Sequence, residues 1–379
     1  MPAKRVLVAM SGGVDSSVTA YLLKQQGYAC EGATMRLTCS RSCDDVGPRS
    51  CCSLADIADA QAVCERLGIP HHVLDMRELF ERHVVDKFVE TYEDGRTPNP
   101  CIDCNRYLKF GSLLDYALEH GFDAIATGHY ARIAQDPSGT WTLSCGVDPA
   151  KDQSYVLYSL TQERLARTLL PLGGLVKSRD VRRIAEEQGF VNAEKPDSQG
   201  ICFVPDGDFA GYIERRRGEL LPEGDIVDAT GAVLGHHQGA IRYTVGQRKG
   251  LGVAMLHPVY VTSVDARANT VTLGENADLM ASALVADDWI WSAPEAEMRD
   301  ALDAAGSAGV PVSAKIRYHQ PSQTARLSWG DASSLHNGSS TVLRVTFSQP
   351  QRAIAPGQAV VVYDGDRVLG GGTALAAFR

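Results

Sequence analysis

The feature that most constrains this chain is a glycine-containing loop, Ser11 to Ser17, which reads Ser-Gly-Gly-Val-Asp-Ser-Ser. The apolar run Arg5 to Met10 before it predicts a buried strand, and the stretch Ser16 to Gln26 after it has helical spacing. Two glycines let the backbone approach an anion closely, and the amide groups at a helix start point toward it. The sequence therefore predicts a phosphate-binding strand, loop and helix.

The rest of the first half repeats this alternation of strands and helices. Strand-like runs cover 29–37, 71–75 and 124–127, and helical stretches cover 54–67 and 105–120. Glycines at 27, 68 and 121 mark the helix ends. We expect a Rossmann-like α/β domain with a parallel sheet over residues 1–204.

After about Val204 the pattern changes to short β-branched runs separated by turn signals. These runs predict two small β-rich, barrel-like domains over 205–280 and 281–379, with little helix. The stretch Ala293 to Gly309 is expected to form a weak helix or a long loop. The predicted strands are Val259 to Val264, Thr270 to Leu273, Val312 to Tyr318, Thr341 to Phe347 and Ala359 to Tyr363.

Composition narrows the class of protein. The apolar run Val6 to Met10 is too short for a signal peptide or a membrane span, so we expect a cytoplasmic protein without membrane contact. In that compartment ten cysteines indicate metal or thiol chemistry rather than disulfides. The net charge of −9 means that any nucleic acid must bind local basic patches. The candidates are Arg179, Arg182 and Arg183, the run Arg215 to Arg217, and Arg242 with Arg248 and Lys249.

Two cysteine segments stand out by their neighbours. Cys101 and Cys104 follow the stiff sequence Thr97 to Pro100, and Cys104 lies at the start of a predicted helix, where amide groups and the dipole lower a thiol pKa. Cys202 follows a glycine and an isoleucine, which suits a buried core cysteine as well as a reactive one. The remaining cluster fits no standard paired zinc spacing and is expected to have no essential role: Cys39, Cys43, Cys51 and Cys52.

The loop lacks the Gly-Lys-Ser/Thr ending of a Walker loop and the three-glycine spacing of a dinucleotide fold. It resembles the pyrophosphate loop of enzymes that cleave ATP between the α- and β-phosphates and adenylate an oxygen. Over nearly the whole chain the sequence resembles the bacterial tRNA-specific 2-thiouridylases. The motifs that carry this resemblance are Ser11 to Ser17, Gly95 to Pro100, Cys104-Asn105, Thr127 to Tyr130, Lys151 to Gln153, Gly200 to Cys202, Gly246 to Leu251, Lys315 to Tyr318 and Pro356 to Gln358.

The resemblance implies an adenine nucleotide alpha-hydrolase type of fold and ATP-dependent 2-thiolation of the wobble uridine in tRNAs for Lys, Glu and Gln. ATP, with Mg²⁺, adenylates the uridine 2-oxygen, and sulfur then displaces AMP. Cys202 carries the sulfur as a persulfide, Cys104 acts as nucleophile, and a transient disulfide between them awaits a reductant. A cysteine desulfurase or a sulfur-relay protein is implied as the donor.

The resemblance also assigns binding roles residue by residue. It implies that Asn99, Pro100 and Cys101 contact the target base. ATP contacts are implied for Ala9, Met10, Ser11, Gly12, Gly13, Val14, Asp15, Ser16, Met35 and Gly128. Contacts with tRNA are implied for His129, Lys151, Asp152, Gln153, Arg317, Tyr318 and Gln358.

Three alternatives stay open at this level. Cys101, Cys104 and Cys202 supply three thiolates, which suit an iron–sulfur cluster with one open iron as sulfide carrier. Another adenylating enzyme, such as an amidating ligase, would use the loop without the cysteines. A non-catalytic tRNA- or metal-binding protein would keep the fold but release no AMP or pyrophosphate.

Overall fold

The structure, a computed structural model, describes residues 3–37, 54–197, 200–331 and 342–379. No helix in these ranges combines the length and apolar character needed to cross a bilayer. The strands, β1 to β17 in order, are Arg5–Ala9, Ala29–Arg36, His71–Asp75, Ala124–Ala126, Ala131–Gln135, Trp141–Cys145, Thr168–Leu169, Gly224–Val227, Val233–His237, Tyr260–Asp265, Thr270–Gly274, Met280–Trp291, Val310–Lys315, Gln323–Trp329, Leu343–Arg352, Ala359–Asp364 and Arg367–Phe378.

The described helices are numbered α1 to α8. Three of them contain wide turns that continue directly into α-helical turns: α3 (Arg77–Phe80, Glu81–Val85 and Asp86–Glu93), α4 (Pro100–Asp103, Cys104–Ser112 and Leu113–Glu119) and α6 (Lys177–Val181 and Arg182–Glu187). The others are α1 (Val14–Gln25), α2 (Leu54–Leu67), α5 (Gln162–Leu165), α7 (Phe209–Arg217) and α8 (Glu295–Ala305).

The N-terminal part is built on a parallel sheet in the order β3-β2-β1-β4-β7. The central strand β1 is fully buried at Val6, Leu7 and Val8, as expected for a strand covered on both faces. The chain runs outward from β1 to β2 and β3 on one side and to β4 and β7 on the other. Ligands bind at such a switch point, outside the carboxyl ends of the strands. The predicted Rossmann-like domain is confirmed.

Two helices differ from the sequence prediction. Helix α4 begins at Pro100 rather than Asn105, because proline at the first helical position needs no hydrogen-bond partner for its nitrogen. Cys104 therefore lies in the second turn of α4, outside the first turn where the helix dipole acts most strongly. Helix α7 interrupts the region expected to be nearly all β, and the Asp208 side chain caps it by accepting from the Gly211 amide at 2.9 Å.

The C-terminal half is β-rich, as predicted. A four-stranded sheet in the order β10-β11-β8-β9 precedes a closed six-stranded barrel, β12-β15-β14-β13-β16-β17, which the β12–β17 pairing completes. Helix α8 confirms the helical alternative for Ala293 to Gly309. The hairpin β5–β6 leaves the N-terminal domain and adds to the barrel at β17, pairing Leu143 with Val368.

The N-terminal domain and the barrel share one hydrophobic core. Buried residues of α3 and α4 belong to the same cluster as Val361 and Tyr363 of β16. The buried Tyr155 hydroxyl donates to the Ala359 carbonyl at 2.8 Å across the junction. Apolar burial therefore fixes the barrel against the helix that carries Cys101 and Cys104.

Candidate functional site

The phosphate loop follows β1 directly. Helix α1 begins at Val14 with Gly13 as its N-cap, and glycine has no side chain to occupy the first amide groups of the helix. The hydroxyls of Ser16 and Ser17 donate to the Gly13 carbonyl at 2.9 and 3.0 Å, and Ser16 Oγ accepts from the Ser11 amide at 3.2 Å. These bonds turn the carbonyl inward and fix the loop as an anion cradle.

Two positions require glycine because the backbone of a neighbouring segment approaches them too closely for a side chain. Gly12 has a φ of 72°, and a Cβ atom there would lie 2.3 Å from the Asp56 carbonyl oxygen of α2. Gly128 follows β4, and a Cβ atom there would lie 2.9 Å from the Asp15 backbone carbon. Gly128 thus presses against the start of α1. Met35 is near the carboxyl end of the neighbouring strand β2, so all three segments named for ATP meet at one edge of the sheet.

Four charged residues form what we call the lysine–aspartate network: Asp15, Lys151, Lys177 and Asp197. The Lys177 ammonium lies 2.6 Å from Asp15 Oδ2 and 2.7 Å from Asp197 Oδ1, with its side chain only 8% exposed. Lys151 lies 2.9 Å from Asp197 Oδ2. The Tyr130 hydroxyl donates to Asp15 Oδ1 at 2.7 Å. A buried cation is therefore held beside the phosphate loop, where an anion would bind.

The segment before Cys202 also holds the loop. Asn192 Nδ2 donates to the Gly12 carbonyl and to Ser17 Oγ, both at 3.0 Å. Lys195 donates to the Gly12 carbonyl at 3.2 Å and pairs with Asp56 and Asp59 at 2.6 Å each. Asn192 Oδ1 is buried and has no hydrogen-bond partner within the described residues. Lys177, Asn192 and Lys195 could not be predicted from the sequence, because they belong to no motif.

The two sulfur-carrying candidates lie beside residues that are firmly held. Cys104 is half-buried between Asp103, whose carboxylate pairs with Lys87 at 2.7 Å, and Asn105, whose amide donates to the Val156 carbonyl at 3.0 Å. Cys104 also begins a run of wide helical turns, a feature frequent at functional sites.

Cys202 is also half-buried, and the next residue anchors it. The Phe203 ring packs edge-on against Phe88 at 5.1 Å and Phe80 at 5.7 Å between centroids. Cys104 and Cys202 both pack against the core cluster that contains these rings. The structure thus places both cysteines on one core and leaves part of each side chain accessible.

The segment named for the target base lies at the junction with the barrel. Asn99 lines a cavity of about 250 Å³ between α3, α4 and the barrel, Pro100 is buried, and Cys101 is exposed. Gln358 Nε2 donates to the carbonyls of Thr97 and Pro98 at 3.1 and 3.2 Å, so the barrel holds the approach to this segment.

Several residues named for tRNA contact turn inward. His129 is 8% exposed, lies 2.6 Å from Thr127 Oγ1, and burial holds its pKa well below the usual range, so the ring is neutral. Asp152 accepts from the Ser154 amide at 3.1 Å, and Gln153 Oε1 accepts from the Tyr130 amide at 3.0 Å. These groups shape the loop that carries Lys151.

Arg317 and Tyr318 lie in the turn that follows β13. Arg317 donates to the Ala353 carbonyl, and the Tyr318 ring lies 6.0 Å from the Tyr155 ring. Burial, with Asp152 and Cys101 nearby, raises the pKa of Tyr318 to about 12. The Tyr318 hydroxyl therefore stays protonated at neutral pH and can donate a hydrogen bond.

The described cysteines do not group with other metal-binding side chains. Within the described ranges, no three Cys, His, Asp or Glu side chains come together as a metal-binding group. Cys101, Cys104 and Cys202 therefore do not form a cluster site in this arrangement. The cysteines at 39, 43, 51 and 52 lie outside the described residues.

Thiol reactivity is expected to divide the described cysteines. Burial raises the pKa of Cys30 to about 11 and that of Cys64 to about 12, so at pH 8 they remain protonated and unreactive. Iodoacetamide at pH 8 followed by peptide mass mapping should label Cys101, Cys104 and Cys202 and spare these two. The unfolded chain is the control and should react throughout; rapid labelling of Cys64 in the folded protein would contradict the burial.

The fold and site define a class: an α/β nucleotide-binding protein with a glycine-serine phosphate loop and two appended β-rich domains. A family model described as tRNA methyl transferase HUP domain matches residues 4–206. Models described as tRNA methyl transferase PRC-barrel domain and Aminomethyltransferase beta-barrel domain match 210–275 and 281–374.

Comparison with curated relatives gives the family. The chain is 48% identical over 378 residues to tRNA-specific 2-thiouridylase MnmA of Carboxydothermus hydrogenoformans, covering 98% of this chain and 97% of that protein. It is 46% identical over 373 residues to the protein of the same name in Lachnoclostridium phytofermentans, covering 98% and 99%. The chain belongs to the tRNA-specific 2-thiouridylase family.

Proposed function

We propose that this chain is a tRNA-uridine 2-sulfurtransferase that uses ATP to thiolate the wobble uridine of tRNAs for Lys, Glu and Gln in the cytoplasm. One observation carries the proposal: the network that holds the phosphate loop continues through Asn192, Lys195 and Asp197 into the segment that leads to Cys202. A site for ATP and a candidate sulfur carrier are thus parts of one structure. Methyl transfer, named in two family-model descriptions, would require neither.

The first step is adenylation. The amide groups of the loop and the Lys177 ammonium bind the phosphates of ATP, which compete with Asp15 and Asp197 for that ammonium. The uridine 2-oxygen attacks the α-phosphorus and pyrophosphate leaves. The poor leaving group on C2 becomes AMP. Mg²⁺ would arrive with ATP, and Asp15 is the loop carboxylate that could approach it.

The second step is sulfur transfer. Cys202 takes sulfane sulfur from a cysteine desulfurase or a relay protein and carries it as a persulfide, whose terminal sulfur attacks C2 and expels AMP. The Cys104 thiolate then attacks Cys202 Sγ, which releases the sulfur on the base and forms the Cys104–Cys202 disulfide. An external thiol reductant restores both thiols. The half-burial of both cysteines on one core supports this assignment.

The iron–sulfur alternative is less well supported. It needs three thiolates around one cluster, and the described residues show no such group. The persulfide route uses the thiols of Cys104 and Cys202 and needs no cluster.

The target base must leave its stack to reach C2, which costs least in a single-stranded anticodon loop. We propose that Asn99, Pro100 and Cys101 receive it and that Lys151, Arg317 and Tyr318 contact the neighbouring RNA. Gln358, Asp152, Gln153 and His129 support this surface from inside, through the hydrogen bonds described above.

Arg317→Ala should weaken binding of unmodified tRNA by roughly tenfold, because a phosphate contact is lost, and leave ATP binding unchanged, because Arg317 hydrogen-bonds to Ala353 of the barrel and not to the phosphate loop. Filter binding with tRNA and equilibrium binding of a labelled nucleotide measure the two effects separately. An unchanged tRNA affinity would remove Arg317 from the RNA surface.

The proposal is tested with unmodified tRNA transcripts, labelled ATP and a persulfide donor. Transcripts with uridine at the wobble position should yield thiouridine, AMP and pyrophosphate, whereas matched transcripts with cytidine there should yield no thiolated base. AMP without thiouridine would favour another adenylating enzyme, and RNA binding without AMP would favour a binding protein.

A further inference from the structure

The basic runs in the sequence are largely neutralised in the fold. Arg182 lies 3.2 Å from Asp197, Arg217 lies 2.6 Å from Glu93, and Arg242 lies 2.8 Å from Glu214. The same holds for Arg179 with Asp180, Arg183 with Glu187, Arg215 with Asp206, and Arg216 with Glu81 and Asp86. A cation already paired with a carboxylate offers little net charge to RNA.

Arg248 and Lys249 of the third predicted patch differ from these, because they form no ion pair with a carboxylate in the part of the chain that the structure describes. The same is true there of Arg317 and Arg352. We call these four cations the junction patch, because they lie where the four-stranded sheet domain meets the barrel. A Cβ atom on Gly246 would lie 3.6 Å from Arg352 Nη1 and 3.9 Å from Arg317 Nη2. Arg248 and Lys249 follow in the same loop and are exposed.

The patch is held rigidly. The Arg352 guanidinium lies over the Tyr260 ring, 4.9 Å from its centroid, and its Nε donates to Asn276 Oδ1 at 2.8 Å. Arg317 donates to the backbone carbonyl of Ala353, the residue that follows Arg352. Residues of both domains thus fix two guanidinium groups near each other, so little side-chain entropy remains to be lost on binding an anion.

Two guanidinium groups held close together repel each other when no carboxylate lies between them. A bound anion would remove this repulsion. Burial lowers the pKa of Arg317, and the nearby Arg352 guanidinium lowers it further. The chain as a whole carries a net charge of −9, so RNA binding is favoured where cations have no carboxylate partner.

We propose that the junction patch binds the phosphate backbone of the tRNA, with Arg352, Arg248 and Lys249 acting beside Arg317. This inference rests on the proposed function, in which tRNA is the substrate. Binding to phosphates carries no sequence information, so the patch positions the RNA while the base is selected elsewhere. Both small β-rich domains thereby hold the RNA against the catalytic domain.

The test compares Arg352→Gln and Lys249→Gln with Arg217→Gln, a control that changes the net charge equally but removes a cation paired with Glu93. Binding of unmodified tRNA is measured from low to moderate salt. Each patch variant should lose affinity on the order of tenfold at low salt, and the slope of log affinity against log salt should fall by about one. Arg217→Gln should keep the wild-type slope.

A purely structural role is separated by further readouts. If Arg352→Gln lowers the melting temperature and the affinity but leaves the salt slope unchanged, Arg352 is an interdomain strut and the proposal is overturned. Arg352→Lys should keep the slope, since the charge remains. At equal ionic strength, inorganic phosphate should displace no more tRNA than chloride does. Much stronger displacement by phosphate would indicate a site for a small anion instead. Failure of the wild-type protein to bind tRNA at all would refute the proposed function rather than the placement of the patch.

Discussion

Cys202→Ser is expected to abolish 2-thiouridine formation, by roughly a thousandfold or more, while ATP and tRNA still bind. Serine is nearly isosteric with cysteine but cannot carry sulfane sulfur. The position is half-buried, and the fold there is held by the neighbouring Phe203 ring, so the substitution should not disturb the structure. Mass spectrometry of nucleosides from digested tRNA measures the product directly.

Matched cysteine variants sharpen this result. Cys145→Ser is the control, because Cys145 is a half-buried cysteine of β6 that contacts Ser154 Oγ at 3.4 Å, away from the phosphate loop. It should thiolate normally. Cys104→Ser should accept sulfur on Cys202 and fail to release it, and Cys101→Ser should retain activity under the persulfide route. Loss of activity in all three variants at 101, 104 and 202, together with protein-bound iron, would instead support the cluster.

The second large effect is expected at Lys177. Lys177→Met removes the buried ammonium beside the phosphate loop and leaves Asp15 and Asp197 facing each other without their shared cation. Pyrophosphate release should fall by roughly 100-fold to 1000-fold, the usual consequence of losing one preorganised charge at a reacting group. Lys151→Met, assayed at saturating tRNA because Lys151 also belongs to the proposed RNA surface, is the matched control: its side chain is 41% exposed and pairs, among the described residues, with Asp197 only. Pyrophosphate release should fall much less in this variant.

Stability must be separated from chemistry at this position. Breaking the buried pair should also destabilise the protein by about 3 kcal/mol. Adding Asp197→Asn to Lys177→Met removes one of the two carboxylates that then face each other, and it should restore part of the melting temperature without restoring pyrophosphate release. Recovery of full activity in the double variant would show that Lys177 only maintains the fold.

What the sequence could predict was local or carried by motifs. The loop after β1, the parallel layer and the β-rich half each follow from apolar periodicity and turn residues within a short window. The edge of the sheet where Gly12, Met35 and Gly128 meet follows from parallel topology.

Long-range partners could not be read from sequence. Lys177 is 162 residues from Asp15, with which it pairs, and nothing in its own helix indicates that contact. Likewise the hairpin β5–β6 joins a barrel formed by residues far along the chain. The predicted start of α4 at Asn105 is wrong because the segment up to Pro100 was assigned to a stiff approach, whereas proline is favoured at the first helical position.

The RNA-binding patches also could not be predicted from charge in the sequence alone. The arginine runs at 179–183 and 215–217 looked like RNA-binding patches until the fold supplied a carboxylate for each. Arg352 could not be predicted as an RNA contact because no other basic residue adjoins it in the sequence. Only the fold brings it close to Gly246 and Arg317.

The central claim is that sulfur passes from Cys202 to an ATP-activated uridine. The most direct test is a single turnover in which iron-free protein is loaded with radioactive sulfur as a persulfide, freed from the donor, and mixed with unmodified tRNA with or without ATP. The account predicts that the label moves from protein to tRNA only when ATP is present, and that a Cys104–Cys202 disulfide forms at the same rate. Label that stays on the protein, or that moves to tRNA without ATP, would contradict it.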